Sequence, residues 1–152
     1  MLEPNIRLDL RKTYFKLLIP LVIMLIIFYL LKILGALDNI QIGYLKFISV
    51  LFFILAGIFG IALPIFYRTL YISKLKNIKA ISIEEFIKFE NRLIIISMIT
   101  PYFIIMPIVF NFTDFYFGGI ILFSLYAAYY FYPSKARIDF EKRIFRIKEE
   151  IS

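Results

Sequence analysis

Residues 17–37 read LLIPLVIMLIIFYLLKILGAL, an apolar run whose one charge, Lys32, stands near its end. A bilayer hydrocarbon core about 30 Å thick is crossed by about 20 helical residues at about 1.5 Å each, so this run has the length of a membrane span. Three further apolar stretches follow at residues 47–67, 93–112 and 117–132. The third keeps span length in spite of Pro101 and Pro107, and the fourth reaches it only by taking in Thr113–Tyr116. Of 152 residues, 62% are hydrophobic and the mean hydropathy is +0.86, which excludes an ordinary water-soluble globule. The expected fold class is therefore an all-α integral membrane protein, with four transmembrane helices and short amphipathic cytoplasmic helices. The whole chain, 1–152, reads as one membrane domain: spans at 17–37, 47–67, 93–112 and 117–132, a central loop at 68–92 and a tail at 133–152.

The basic residues orient these spans. Arg7, Arg11, Lys12 and Lys16 precede the first span; Arg68, Lys74, Lys76, Lys79, Lys88 and Arg92 lie in the central loop. Lys135, Arg137, Lys142, Arg143, Arg146 and Lys148 follow the fourth. Sixteen of the eighteen Lys and Arg thus fall on one side, and only Lys32 and Lys46 on the other. The positive-inside rule places the crowded side in the cytoplasm, with both termini and the central loop. The expected location is the cytoplasmic membrane, multi-pass. A fourth crossing is required, because three spans would leave the basic tail outside. The net charge of +7 is explained by this anchoring, and nucleic acid is not an expected partner. The first stretch does not read as a cleavable signal, since Leu34 occupies the position three residues before the Gly35–Ala36 site where a small residue is needed.

Local patterns refine the picture. Ile6, Leu10, Tyr14 and Leu17 share one helical face, so the N-terminal arm reads as an amphipathic helix lying on the membrane or running into the first span, with a kink at Pro20. In the second span Ala56, Gly57, Gly60 and Pro64 form a small-residue face suited to close helix packing. Ser82 followed by Glu85 is a capping box, flanked by Ile81 and Phe86 as a hydrophobic staple, which starts a helix at Ile83. Its apolar side is Phe86, Phe89 and Leu93, and Glu84–Lys88 is spaced for an i,i+4 pair. Thr100, Pro101 and Pro107 mark a kinked third span and a candidate substrate position. In the fourth span Phe123, Tyr126 and Tyr130 share a face that suits packing, interface anchoring or an apolar ligand such as a lipid or quinone. The tail reads as an amphipathic helix whose apolar residues are Phe140, Ile144, Ile147 and Ile151, with Arg137–Glu141, Asp139–Arg143 and Arg146–Glu150 as local pairs; it is suited to lie on the membrane, to pack on the central-loop helix or to form a short oligomer seam. Lys74, Lys76, Lys79, Arg143 and Arg146 are the candidates for contact with anionic headgroups or a partner. The segment from Tyr71 to Lys76 echoes that from Tyr132 to Arg137, which raises the question of an internal duplication.

Missing chemistry narrows the function. With no Cys and no His, disulfides, thiolate chemistry, imidazole relays and the usual zinc, haem and iron–sulfur ligand sets are excluded. No cofactor is expected. The spans hold no mid-depth Asp, Glu, Arg or Lys, which argues against ion-coupled carriers and voltage sensors. No nucleophile or phosphate-loop pattern is present, so a catalytic role is not expected. The expected function is a non-catalytic accessory or assembly subunit of a larger membrane complex, bound to the bilayer and to a protein partner or to copies of itself. The competing expectation is an oligomeric transporter or pore component for a lipid-like or small neutral substrate.

Overall fold

A computed structural model describes residues 6–37, 44–74, 81–145 and 147. Every regular element among them is helical. The elements are α1 (Ile6–Ile33), α2 (Leu45–Gly57), a π-helical turn (Ile58–Ala62), α3 (Leu63–Lys74), α4 (Ile83–Met98), a 3-10 turn (Thr100–Ile104), α5 (Ile105–Phe110), α6 (Asp114–Tyr130) and α7 (Lys135–Ile144). Three continuous rods, Ile6–Ile33, Leu45–Lys74 and Ile83–Phe110, are long and apolar enough to cross a membrane. A fourth crossing needs α6, which has 17 residues and is followed by α7 at a bend of 74°.

The amphipathic arm does not lie apart from the first span, because α1 runs unbroken from Ile6 through Pro20 to Ile33. It stops at Gly35, whose φ of 72° suits a residue without a Cβ, and the Ala36 N–H closes back on the Leu31 carbonyl. The Ser82 half of the capping box forms at the start of α4: its hydroxyl accepts from the Glu85 N–H at 3.3 Å, while Ile81 and Phe86 are both buried. A second cap, Ser134 accepting from the Arg137 N–H at 3.2 Å, starts α7. In the echoed segment Ser73 instead lies inside α3, so the two copies adopt different local structures.

Prolines set the irregular turns. Pro64 has no N–H for the Gly60 carbonyl, and the ladder ahead of it widens so that the Leu63 N–H reaches the Ile58 carbonyl. Pro101 likewise leaves the Ser97 carbonyl without its usual donor, and the chain tightens so that the Tyr102 N–H bonds to the Ile99 carbonyl at 3.1 Å. Nearby, the Ser124 hydroxyl reaches the Thr100 carbonyl at 3.3 Å from α6. The rod with two prolines is nonetheless the centre of the bundle. It packs against α1, the α2–α3 rod and α6, and its apolar window is 50% buried against 11% for α1.

Two cores result. One gathers Leu10, Tyr14, Phe86, Phe89, Leu93, Ile94, Phe131, Ile138 and Phe145 at the end of the bundle where the basic residues collect. The other holds Ala56, Phe112 and Ile120 with Phe52, Phe53, Phe103 and Phe123 around them. At Gly60 an added Cβ would meet Thr100 Cγ2 at 3.2 Å, Thr100 Oγ1 at 3.3 Å and the Phe123 carbonyl oxygen at 3.4 Å, so the π turn, the 3-10 turn and α6 touch almost backbone to backbone. Gly118 differs, since nothing lies within 4 Å of its would-be Cβ. Gly118→Ala should leave the melting temperature in detergent unchanged or slightly higher, by up to about 1 kcal/mol of helix propensity. A clear loss would show that something packs there.

Candidate functional site

The most unusual chemistry lies at the basic end, where α7 folds back onto the bundle. Glu90 sits on α4 one turn before the apolar run that begins at Leu93, and only 1% of it is exposed. Arg137, from the first turn of α7, donates through Nη2 to Glu90 Oε2 at 2.6 Å and through Nη1 to the Phe131 carbonyl at 2.8 Å. One turn along α7, the buried Glu141 accepts from Arg68 of α3 at 3.1 Å. Two guanidinium–carboxylate pairs thus tie the tail helix to two different rods. Around them, the Tyr71 and Phe89 rings stack at 4.3 Å, and Phe145 meets Phe89 edge to face at 5.1 Å. From the other side Tyr14 donates to the Ala128 carbonyl at 2.9 Å, and Arg11 to the Tyr132 hydroxyl at 2.7 Å.

The tail forms a helix, as its periodicity predicts, and docks by a face other than the one carrying Phe140 and Ile144. α7 buries Ile138, Glu141 and Phe145, whereas Phe140 is 58% and Ile144 38% exposed. The docked face is therefore a mixed one, and the more apolar face points away. Ile147 packs at the edge of the basic-end core, and Ile151 lies outside the described residues. The local pairs Arg137–Glu141, Asp139–Arg143 and Glu84–Lys88 are not formed; among the described residues the ion pairs are Lys12–Asp9, Arg68–Glu141 and Arg137–Glu90. Burial explains the change of partner. A buried carboxylate left without a counter-charge would cost several kcal/mol, whereas giving up an exposed i,i+4 pair forfeits only about 0.3–0.5 kcal/mol. Arg146–Glu150 falls outside the described residues.

Desolvation dominates the electrostatics. Burial pushes the Glu90 carboxyl up to about 7, against the downward pull of Arg137 and with a smaller upward push from Glu141. Burial also raises the Glu141 carboxyl, opposed by Arg68 and Arg137. The folded chain therefore binds a proton more tightly at both sites than the unfolded chain, whose carboxyls titrate near 4.5. Their stability contribution is full below that value and is lost as pH rises toward about 7 at Glu90. The melting temperature in neutral detergent should fall across this window, and Glu90→Gln should flatten the fall. An unchanged slope in that variant would mean that Glu90 does not titrate there.

The remaining candidates are scattered. Ala56, Gly60 and Pro64 are buried, and a Cβ on Gly57 would touch the Phe123 ring at 3.5 Å. Thr100, Pro101 and Pro107 are buried as well, and the Thr100 hydroxyl has no hydrogen-bond partner. Lys74 and Arg143 are exposed at the basic end; Lys76, Lys79 and Arg146 lie outside the described residues. On α6 the buried line is Ile120, Ser124 and Ala127, while Tyr126 and Tyr130 are exposed and stacked on each other. The structure thus groups the packing residues with the kink residues, and places both away from the charged pairs. Glu90 and Glu141 were not among the candidates, although a signal existed. Glu90 follows Phe86 by four and precedes Leu93 by three, so it lies within the buried stripe of α4. Both carboxylates are engaged by arginines, although the second oxygen of Glu90, Oε1, is buried with no hydrogen-bond partner.

No protein-family model matches this chain, and comparison with curated proteins and with solved structures finds no similar one.

Proposed function

We propose that the chain is a non-catalytic accessory or assembly subunit of a larger membrane complex, embedded in the cytoplasmic membrane with both termini and the central loop inside. The observation that carries this reading is the state of α1. Its buried residues are Ile6, Leu10, Tyr14 and Leu21, and from Val22 to Leu34 no side chain is fully buried, although Leu25, Phe28 and Leu31 are half-buried and the helix packs on α5. Ile23, Ile26, Ile27, Leu30 and Ile33 are all exposed there, which leaves an apolar rod open to the helix of another subunit. The sixteen-to-two split of basic residues supports the orientation. The buried ion pairs support a folded basic end able to present a fixed surface.

The transporter reading draws on the two proline-linked breaks and on the buried, unpartnered Thr100 hydroxyl. Close packing at Gly60 opposes a passage through one chain at that level, so a path would have to run between copies. Extraction from native membranes in mild detergent separates the two. The accessory reading predicts distinct membrane subunits co-purifying in fixed ratio. A homo-oligomer that transports or conducts in liposomes would overturn it.

A further inference from the structure

The 74° bend between α6 and α7 borders an open cavity of about 720 Å³. Its walls are mostly apolar: Leu125, Ala128 and Tyr129 come from α6, and Ala136 and Phe140 from α7. Tyr14 and Tyr132 close the base. The size falls within the usual range for an organic ligand. Leu125, Tyr129 and Phe140 are exposed, so the apolar wall has no partner within the chain.

The charged residues lining this cavity are Arg137, paired with Glu90 at 2.6 Å, and Glu141. Two further cations adjoin it without lining it, Lys135 between the lining residues Ser134 and Ala136, and Arg11 beside the lining Tyr132. α7 begins with Lys135 and Arg137 and has no acidic residue in its first turn, against the preference set by the helix dipole. Arg11 reaches the Tyr132 hydroxyl at 2.7 Å and lies over that ring at 5.4 Å, and its Nε is buried without a partner. Glu141 also lines the cavity, but its charge is met by Arg68 at 3.1 Å. A wall that suits acyl chain therefore adjoins an edge that suits negative charge. The wall is α6, the fourth apolar stretch, and the edge is where that stretch ends and the basic tail begins.

We propose that this elbow is a binding site for one anionic phospholipid of the inner leaflet, its acyl chain against Leu125, Tyr129 and Phe140 and its phosphate near Lys135 and Arg11. The site rests on the membrane reading but is independent of the accessory role. It also differs from the surface lysines that generic anchoring would use, because it couples a charge edge to an apolar wall. Lys135 and Ala136 are exposed, so changing them tests binding without disturbing the core.

The test uses the purified full chain in neutral maltoside detergent, titrated with phosphatidylglycerol or with phosphatidylcholine of equal chain length, and retained lipid is counted by native mass spectrometry. The expected result is one phosphatidylglycerol retained at least about tenfold more readily than phosphatidylcholine. Ala136→Trp, which fills the cavity, should abolish that retention, and Lys135→Glu should reduce it to the phosphatidylcholine level. Both variants should melt like the parent in lipid-free detergent, while Tyr126→Ala, outside the cavity, should bind normally. Equal retention of the two lipids would overturn the proposal, as would full retention by Ala136→Trp or displacement by inorganic phosphate alone. Since no other subunit is present, a failure here is distinct from a failure to co-purify partners.

Discussion

Arg137→Ala should be the most damaging single change in this chain, lowering stability by about 3–5 kcal/mol at pH 8, the usual range when one member of a buried ion pair is removed. The Arg137 side chain holds Glu90 at 2.6 Å and the Phe131 carbonyl at 2.8 Å, so its loss strands a carboxylate that is 1% exposed. The remaining carboxyl can escape by binding a proton, which makes the defect depend on pH. With its nearest cation gone, Glu90 should titrate still higher than about 7, and the loss at pH 6 should be distinctly smaller than at pH 8. Thermal melts in detergent at the two pH values measure both effects. The double variant Glu90→Met with Arg137→Met should recover most of the stability, because two apolar side chains of similar length need no counter-charge. A pH-independent loss, or a double variant as unstable as the single one, would show that Arg137 acts through packing alone.

The second large effect is expected at Gly60. Alanine there brings a methyl within 3.2 Å of Thr100 and 3.4 Å of the Phe123 carbonyl, a contact that the neighbours can relieve by a few tenths of an ångström. Helix propensity offsets part of that strain, so Gly60→Ala should stay within about 1 kcal/mol of the parent. Leucine adds three further carbon atoms against the α6 backbone and must force the rods apart. Gly60→Leu should therefore lose about 1–3 kcal/mol or more, the range for an overpacked core. The same substitution at Gly118, which faces open space, supplies the control. Equal tolerance of leucine at both positions would rule out the close crossing.

These two sites differ in how far the sequence could announce them. Gly60 belongs to a face of small residues at four-residue spacing, a pattern that says a neighbour comes close without saying which one. The structure supplies the neighbours, Thr100 and α6. Its π turn traces to Pro64, whose missing N–H can be read directly from the chain. The cap at Ser82 and the stop at Gly35 were legible for the same reason, since each is decided by a few adjacent residues. The continuity of α1 through Pro20 was left open, because a proline can bend a helix without ending it.

The docking of α7 was not legible in that way. Periodicity grouped Phe140 and Ile144 on one apolar face but left open whether that face meets the membrane, the central-loop helix or another copy. The energy that decides the matter comes from Arg68 and Glu90, which are distant in sequence and unrelated in pattern. Local pairing of Arg137 with Glu141 was the natural expectation at four residues' spacing, and two long-range pairs replaced it. The apolar cavity in the elbow follows from the same rotation, since turning Phe140 outward leaves it facing Leu125 and Tyr129 across the bend. The exposed length of α1 is likewise a tertiary fact. Its composition said that it is apolar throughout, but not that full burial within the chain would end at Leu21.

Everything proposed for function depends on a fourth crossing by α6, the shortest of the four, which returns the tail to the side of the central loop. The chain contains no cysteine, so single cysteines placed at Asn39, Asn77 and Lys148 can be probed without background. Intact cells treated with a membrane-impermeant maleimide should label the cysteine at position 39 alone, with those at 77 and 148 labelling only after the membrane is opened. Labelling at position 148 from outside intact cells would mean that α6 does not cross, and would contradict the account.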